Sequence, residues 1–482
     1  MITFLLCLAA LVVAYFTYGK YIERQAGVDD SIVTPCHRCA DGVDYIEMPR
    51  WRVFLVQLLN IAGTGPIFGA ILGACFGPVA FLWITIGGIF FGAMHDYLSG
   101  MMILRHDGKS LPEVIGDTLG KNMRTLVRWF AIALMIIVGA VFMVSPAGLL
   151  AKLTDSISIQ MWLYIILGYY IIATVLPVNK VIGKIYPIFG AAMLIMALGL
   201  LGVLFFEPYV IPEMSFHNFH SAADTLPIFP TVCITIACGA ISGFHATQSP
   251  MMARCVDKEH QCRSVFFGAM ITESIIALIW AAIAMAFFGA IDALNGQLAA
   301  NGNNPAWVVS VISTTTLGKV GGILAILGVV AAPITSGDTA FRSARLMLSD
   351  MFNFNQRPLI NRLLVSLPLF VAGYILSQID FDIIWRYFAW SNQTLATITL
   401  WAIYVWLYRR GANVWVALIP AIIMTDVVST FVFQSSQFIG MGATPVSYFA
   451  GAACALVLTF FMIRYTGLPY IGKKSDANIT KI

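Results

Sequence analysis

Ionisable side chains within apolar stretches are the first candidates for chemistry in this 482-residue chain, because a charge inside a membrane is costly. His95 and Asp96 are adjacent within the segment 78–104, and His245 lies within the segment 226–250. An imidazole titrates near neutral pH, so His245 suits proton coupling or hydrogen bonding to an anion. A structural histidine and a paired or snorkelling Asp96 near a membrane interface are the alternatives.

A cluster of oxygen-bearing side chains closes another apolar run. Thr335, Ser336, Asp338 and Thr339 fall within about one helical turn. Their hydroxyl and carboxylate oxygens suit a hard cation such as Na⁺, by the same chemistry that gives Ca²⁺ its oxygen ligands. The alternative is a helix end at which Asp338 pairs with Arg342 at i,i+4. The pattern therefore predicts either a sodium site or a local ion pair.

Two apolar segments are interrupted by glycine and proline. The segment 51–75 contains Asn60-Ile-Ala-Gly-Thr-Gly-Pro-Ile-Phe-Gly69, and 226–250 contains Ala237-Cys-Gly-Ala-Ile-Ser-Gly-Phe-His245. Such residues break a helix and free backbone groups, which a membrane tolerates only where they are buried or line a wet cavity. Close helix packing is the alternative for the glycines, but it does not account for Pro66. The candidate substrate-binding residues at the two interruptions are Ala62, Gly63, Thr64, Gly65, Pro66, Gly239, Ser242, Gly243 and His245.

The interrupted segments predict binding sites for a cation and for a carboxylate. Unwound carbonyls near residues 62–65 would coordinate a cation, and the half-helix that starts near Pro66 would direct its positive N-terminus at a carboxylate. Ser242, Gly243 and His245 would act in the same way from the second interruption. A third polar group, Ser391-Asn392-Gln393, interrupts the segment 381–408. Its amides and hydroxyl either hold helices together or face the substrate cavity.

The elements that must position these residues are membrane-spanning helices. The chain is 59% hydrophobic and 11% charged, against about 25% charged residues in soluble domains. A net charge of +4 and 13% aromatic residues exclude a disordered chain and a nucleic-acid partner. Polar loops divide the chain into thirteen predicted spans. They cover residues 2–18, 51–75, 78–104, 125–147, 161–177, 184–206, 226–250, 263–290, 320–341, 359–377, 381–408, 413–434 and 446–464.

The basic residues predict the orientation of these spans. With the N-terminus outside and the C-terminus in the cytoplasm, all but three of the 28 Lys and Arg residues lie on the cytoplasmic side. The exceptions are Lys152, Lys319 and Arg386. The first span lacks a basic segment before it and a small-residue cleavage site, so we expect an anchor rather than a signal peptide. The stretch 291–319 is polar, and a short surface helix is expected there.

The two interrupted spans are the second and the seventh, so the units that they open have opposite orientations. This arrangement predicts an all-α polytopic membrane protein with a five-plus-five inverted repeat, the pattern that marks a transporter's midplane site. We divide the chain into an anchor helix with its loop (1–50), a first repeat (51–206), a second repeat (207–408), and two C-terminal helices with a cytoplasmic tail (409–482).

Cysteines and two further acidic residues remain outside these patterns. Cys36, Cys39, Cys255 and Cys262 fall in predicted cytoplasmic loops, where free thiols are expected and zinc binding is the alternative. We assign no metal site and no cofactor apart from a coupling ion, H⁺ or Na⁺. Glu273 and Asp426 stand within apolar runs without a motif around them, and no role is assigned to either.

Several segments together resemble the carbon starvation protein A family of bacterial inner-membrane transporters. They are Asp41-Gly-Val-Asp-Tyr45, Ile61-Ala-Gly-Thr-Gly-Pro66, Gly92-Ala-Met-His-Asp96, Ala237-Cys-Gly-Ala-Ile-Ser-Gly-Phe-His-Ala246, Asp338 with Arg342-Ser-Ala-Arg345, and Ser391-Asn-Gln393. The chain is similar to short members of the family. The resemblance implies the amino acid–polyamine–organocation superfamily with its LeuT-like fold. It also implies peptide uptake under carbon limitation or pyruvate–proton symport.

The predicted function is import of a small carboxylate solute, a peptide or pyruvate, by cation symport across the bacterial inner membrane. Coupling is to H⁺ through His245 or Asp96, or to Na⁺ through Thr335, Ser336 and Asp338, and the resemblance favours H⁺. The chain lacks a His-Glu-x-x-His, Gly-x-Ser-x-Gly or Walker motif, so an enzyme is not expected. An ion channel and a nutrient sensor without transport are the alternatives. The partners expected are the solute and the lipid bilayer, and the sequence does not decide the oligomeric state.

Overall fold

Apolar stretches of this length fold as helices because a lipid-exposed backbone must satisfy its hydrogen bonds within the segment. A computed structural model describes residues 1–42, 44–154, 156–175, 178–352, 354–356 and 358–467, which form helices and no strand. Residues 176 and 177, which end the predicted span 161–177, lie outside the described residues. So do Arg357 and the predicted cytoplasmic tail after residue 467, with Lys473, Lys474 and Lys481.

The helices follow one another with short connections. In the first part of the chain they are Ile2–Phe16, Tyr18–Ala26, Pro35–Arg38, Arg50–Ile61, Gly65–Ala74, Val79–Ile86, Met94–Arg105, Leu111–Leu119, Lys121–Thr154, Ile159–Val175 and Val178–Phe206. In the second part they are Ile228–Thr235, Gly243–Ala253, Gly268–Phe287, Ile291–Ala300, Pro305–Leu324, Ala331–Phe352, Leu359–Leu376, Phe381–Arg409, Trp415–Gln434 and Pro445–Thr466. Shorter π- or 3₁₀-helical turns occupy Gly87–Ala93, Glu259–Gln261, Arg263–Phe267 and Ala325–Val330.

A helix or a pair of helices occupies each of the thirteen predicted stretches. Within the described residues, nine helices are long and apolar enough to cross a membrane, or ten if the bent pair Arg50–Ile61 and Gly65–Ala74 forms one span. The chain is therefore a multi-pass membrane protein. The count of thirteen, the orientation of the termini and the division into four regions stay predictions.

The segment between residues 291 and 352 differs from its prediction. A short helix, Ile291–Ala300, does lie in the polar stretch, but a second helix, Pro305–Leu324, follows it there and kinks at Gly318 (φ 58°, ψ −145°). The helix Ala331–Phe352 also continues past residue 341, where the predicted span ends. Polar side chains do not stop a helix that is buried against protein, so this helix is longer than its apolar run.

Both predicted interruptions are confirmed as broken helices. The first broken helix consists of Arg50–Ile61 and Gly65–Ala74, which meet at an angle of 49° across the first break, residues 62–64. The second broken helix consists of Ile228–Thr235 and Gly243–Ala253, separated by the second break, residues 236–242. Every residue of both breaks is buried. The interruptions therefore lie in the interior of the helical bundle.

Candidate functional site

The two breaks pack directly against each other. A Cβ atom placed on Gly65 would lie 2.4 Å from Cys238 Sγ, and one placed on Gly239 would lie 3.9 Å from the Cα of Pro66. Pro66 stands in the first turn of its half-helix, where a proline costs no hydrogen bond. Glycine at position 65 is therefore required by the close approach of the second break. The predicted binding residues of the two segments share one region.

The first broken helix carries three buried polar side chains at helical spacing, Gln57, Asn60 and Thr64. Among the described residues, the amide atoms of Gln57 and Asn60 and the hydroxyl of Thr64 have no hydrogen-bond partner. Buried polar groups are normally paired, so three unpaired neighbours point to a bound solute or water. Thr64 was predicted as a binding residue, whereas Gln57 and Asn60 were not. The signal available was a polar residue four and seven positions before Thr64 within an apolar run.

The second break is held by the polar group on the helix Phe381–Arg409. Asn392 Oδ1 accepts hydrogen bonds from the backbone N–H of Phe244 at 2.7 Å and from Ser242 Oγ at 3.1 Å. Gln393 Nε2 donates to the carbonyl oxygen of Cys233 at 2.8 Å. These bonds satisfy groups near the second break, so Asn392 and Gln393 hold helices together. Ser391 is buried beside them on the same helix.

A chain of ionisable side chains connects three helices beside the second break. The carboxylate of Asp96 accepts hydrogen bonds from Nδ1 of His95 at 2.8 Å and from Nδ1 of His245 at 2.7 Å. On its other side, His245 Nε2 lies 3.4 Å from Glu273 Oε2. None of the four side chains is exposed. The structure thus brings together two residues that the sequence placed far apart, Asp96 and His245, and joins Glu273 to them.

Two of these contacts revise expectations. Asp96 does not snorkel to a membrane interface, because its carboxylate is fully buried between two imidazoles. Glu273 was assigned no role, since nothing in its local sequence distinguishes it, but it contacts His245 in the structure. Asp426, the other unassigned acidic residue, accepts a hydrogen bond from Thr430 Oγ1 one turn away on its own helix.

The predicted oxygen cluster divides into separate contacts. Ser336 Oγ donates to the carbonyl oxygen of Leu59 at 3.0 Å, next to the first break. Thr335 and Thr339 donate to carbonyls of their own helix, those of Ala332 and Ser336. Ser336 therefore connects the helix Ala331–Phe352 to the first broken helix.

Asp338 belongs to a different contact. Its carboxylate lies 3.4 Å from Arg342 Nη2, and the same nitrogen donates to the carbonyl oxygen of Ala173 at 3.1 Å. The i,i+4 ion pair, which was the alternative from the sequence, is thus present for this residue.

Two of the loop cysteines donate hydrogen bonds to backbone carbonyl groups. Cys36 Sγ donates to the carbonyl oxygen of Val256 at 3.1 Å, and Cys255 Sγ donates to that of Met251 at 3.4 Å. Burial raises the pKa of both thiols, that of Cys255 to about 12. A thiol with a raised pKa is a poor nucleophile at neutral pH.

Comparison with known proteins gives a family and a fold. The family model described as "Carbon starvation protein CstA" matches residues 1–155, 150–321 and 305–431. An uncharacterized membrane protein of Haemophilus influenzae is 40% identical over 352 residues, which cover 62% of this chain and 95% of that protein. The peptide transporter CstA of Bacillus subtilis is 27% identical over 493 residues, covering 81% of this chain and 82% of that protein.

Among solved structures, the crystal structure of MhsT in complex with L-phenylalanine is similar, with a TM-score of 0.53. The sequences are 14% identical, and the match covers 86% of this chain and 99% of that chain. At this identity the likeness shows the fold alone, which is the LeuT type with its inverted repeat and two broken helices.

Proposed function

Because the chain belongs to the carbon starvation protein CstA family, we propose that it is a secondary transporter that imports a small carboxylate solute, a peptide or pyruvate, together with a cation. The observation that carries this proposal is the group of unpaired, fully buried polar side chains at the first break, Gln57, Asn60 and Thr64. Amide and hydroxyl donors at this position suit a carboxylate or a peptide group. Relatives that are named peptide transporters support the same class of solute.

The carboxylate is expected at the N-terminus of the half-helix Gly65–Ala74. The helix dipole favours an anion there. The corresponding end of Gly243–Ala253 is less suited to this role, because Asn392 already accepts the N–H of Phe244. We therefore assign the solute's anionic end to the first break, where the unpaired side chains lie.

A cleft lies between the two broken helices and the helix Phe381–Arg409. Its lining includes Leu72, Thr235, Trp385 and Arg386. Arg386 supplies a positive charge, which attracts an approaching carboxylate. Rocking of one group of helices against the other around the breaks would then open the site to each side in turn.

For the coupling ion we propose Na⁺, bound between the first break and the helix Ala331–Phe352. The hydroxyl of Ser336 reaches the carbonyl of Leu59, so oxygen ligands of both elements are within 3.0 Å of each other. Thr335 adds a hydroxyl oxygen on the same helix. Oxygen ligands alone suit a hard monovalent cation. Proton coupling through His95, Asp96 or His245 is the competing assignment.

Uptake into proteoliposomes tests the proposal. Labelled pyruvate and labelled dipeptides are offered under an inward Na⁺ gradient, an inward H⁺ gradient, both, or neither, with protein-free liposomes as the control. Saturable accumulation that requires the Na⁺ gradient is expected. Accumulation driven by H⁺ without Na⁺ would contradict the sodium assignment. Flux that is indifferent to both gradients would contradict symport, and current without saturable solute flux would indicate a channel.

A further inference from the structure

Three potential metal ligands of different chemical types meet at the second break. Cys238 lies in the break, His245 lies on the half-helix that follows it, and Glu273 lies on Gly268–Phe287. The thiol sulfur, an imidazole nitrogen and a carboxylate oxygen all lie within 4.8 Å of one another, and all three residues are buried. We propose that Cys238, His245 and Glu273 form a binding site for a divalent transition-metal ion of the zinc class. This goes beyond the metal-free site expected from the sequence.

Two of the three ligands offer atoms without a hydrogen-bond partner, whereas Cys238 Sγ accepts a hydrogen bond from Asn392 Nδ2 at 3.5 Å. Among the described residues, neither carboxylate oxygen of Glu273 has a hydrogen-bond partner, and neither does His245 Nε2. An unpaired buried carboxylate is costly, and in proteins such groups are normally paired or coordinate a metal. A cation between these atoms would satisfy all of them at once.

The neighbours of His245 prepare it for metal binding. An ionised carboxylate can only accept hydrogen bonds, so Asp96 holds the proton on Nδ1 of His245 and leaves the lone pair of Nε2 directed towards Glu273. His95 binds the other oxygen of Asp96 and orients it. A carboxylate on the far nitrogen of a ligand histidine is the usual outer shell of a zinc site.

The donor set selects the type of ion. A thiolate and an imidazole favour Zn²⁺ and similar transition metals over Na⁺, Mg²⁺ and Ca²⁺, which prefer oxygen. Cys238 binds as the thiolate, so its proton is released to solvent when the metal enters. Three protein ligands leave one position for an outside ligand. Because Cys238 Sγ is in contact with Gly65, the ion would sit beside the first break.

The ion is inferred to be a resident component and not the transported solute. A cargo must leave the site in every cycle, whereas a thiolate ligand and an oriented histidine favour tight retention. A metal-free relay of protons along His95, Asp96, His245 and Glu273 is the reading that the experiment must separate from this one.

Metal content of the purified full-length protein tests the proposal, and the affinity tag is removed first because polyhistidine binds zinc. After addition of Zn²⁺ and desalting, about one ion per chain is expected. Co²⁺ loaded in the same way should give the near-ultraviolet thiolate-to-metal charge-transfer band. Cys238→Ser should abolish that band and the retained metal. Cys75→Ser is the matched control, since Cys75 is also buried but its thiol donates to the carbonyl oxygen of Ile71 on its own helix.

A second variant keeps the test informative if Cys238→Ser does not fold. Asp96→Asn keeps all three ligands and should weaken Zn²⁺ binding by about 10–100-fold. Size-exclusion chromatography shows whether each variant remains monodisperse. Wild-type protein that retains no Zn²⁺ and gives no charge-transfer band overturns the proposal, as does a Cys238→Ser variant that keeps both. These measurements need no transport assay, so their outcome is separate from that of the proposed symport.

Discussion

The two breaks are surrounded by different ligands. Beside the first break, the contact between Ser336 and Leu59 joins oxygen atoms only. Beside the second break, Cys238, His245 and Glu273 bring sulfur, nitrogen and oxygen together. Oxygen suits an alkali cation that must bind and leave, whereas sulfur and nitrogen suit a transition metal that stays. The comparison teaches that two similar interruptions in one fold present different donor atoms, oxygen alone at the first and a mixed set at the second.

The largest effect is expected where the two breaks touch. Gly65→Leu should abolish uptake, because even a Cβ atom at this position would lie 2.4 Å from Cys238 Sγ. Uptake of labelled solute into proteoliposomes measures the loss. Gly168→Leu is the matched control, since Gly168 is also helical and has nothing within 4 Å of an added Cβ. Normal uptake in the Gly65→Leu variant would show that the first break is not the binding site.

A smaller effect is expected at the oxygen atoms beside the first break, and it should leave the sulfur, nitrogen and oxygen cluster beside the second break unchanged. Ser336→Ala removes the hydroxyl that reaches Leu59 and should raise the Na⁺ concentration for half-maximal uptake about tenfold, which corresponds to about 1.4 kcal/mol. Its Zn²⁺ content should stay unchanged. Thr339→Val is the control, because that hydroxyl donates to its own helix. Equal sodium dependence in the two variants would contradict a sodium site at Ser336.

The smallest effect is expected from Asn392, which accepts two hydrogen bonds at the second break. Asn392→Ala leaves the buried N–H of Phe244 without its acceptor and should lower stability by about 1–3 kcal/mol. Asn392→Asp keeps an acceptor oxygen and should lose less. Thermal unfolding in detergent measures both variants. If Asn392→Ala unfolds at the wild-type temperature but loses uptake, then Asn392 binds solute instead of holding the break.

Much of the fold was predictable from local composition. The apolar runs predicted the helices, and glycine and proline in two of them predicted the breaks, since both residues act on the backbone where they stand. The helix Ala331–Phe352 extends past the predicted span 320–341, because hydropathy follows the apolar run and polar side chains such as Thr335 and Ser336 do not end a helix when they are buried. The site was predicted only in part, with His245 and Asp96 named separately and Glu273 left without a role.

The sequence by itself determined that the chain spans a membrane and where its helices break, because transfer into lipid and backbone geometry depend on neighbouring residues. Only the tertiary structure decided which polar groups meet. Asp96, His245 and Glu273 belong to three helices, and Ser336 reaches Leu59 from a helix far along the chain. Packing brings together residues that are far apart in the chain, and a local sequence pattern does not indicate which of them will be in contact.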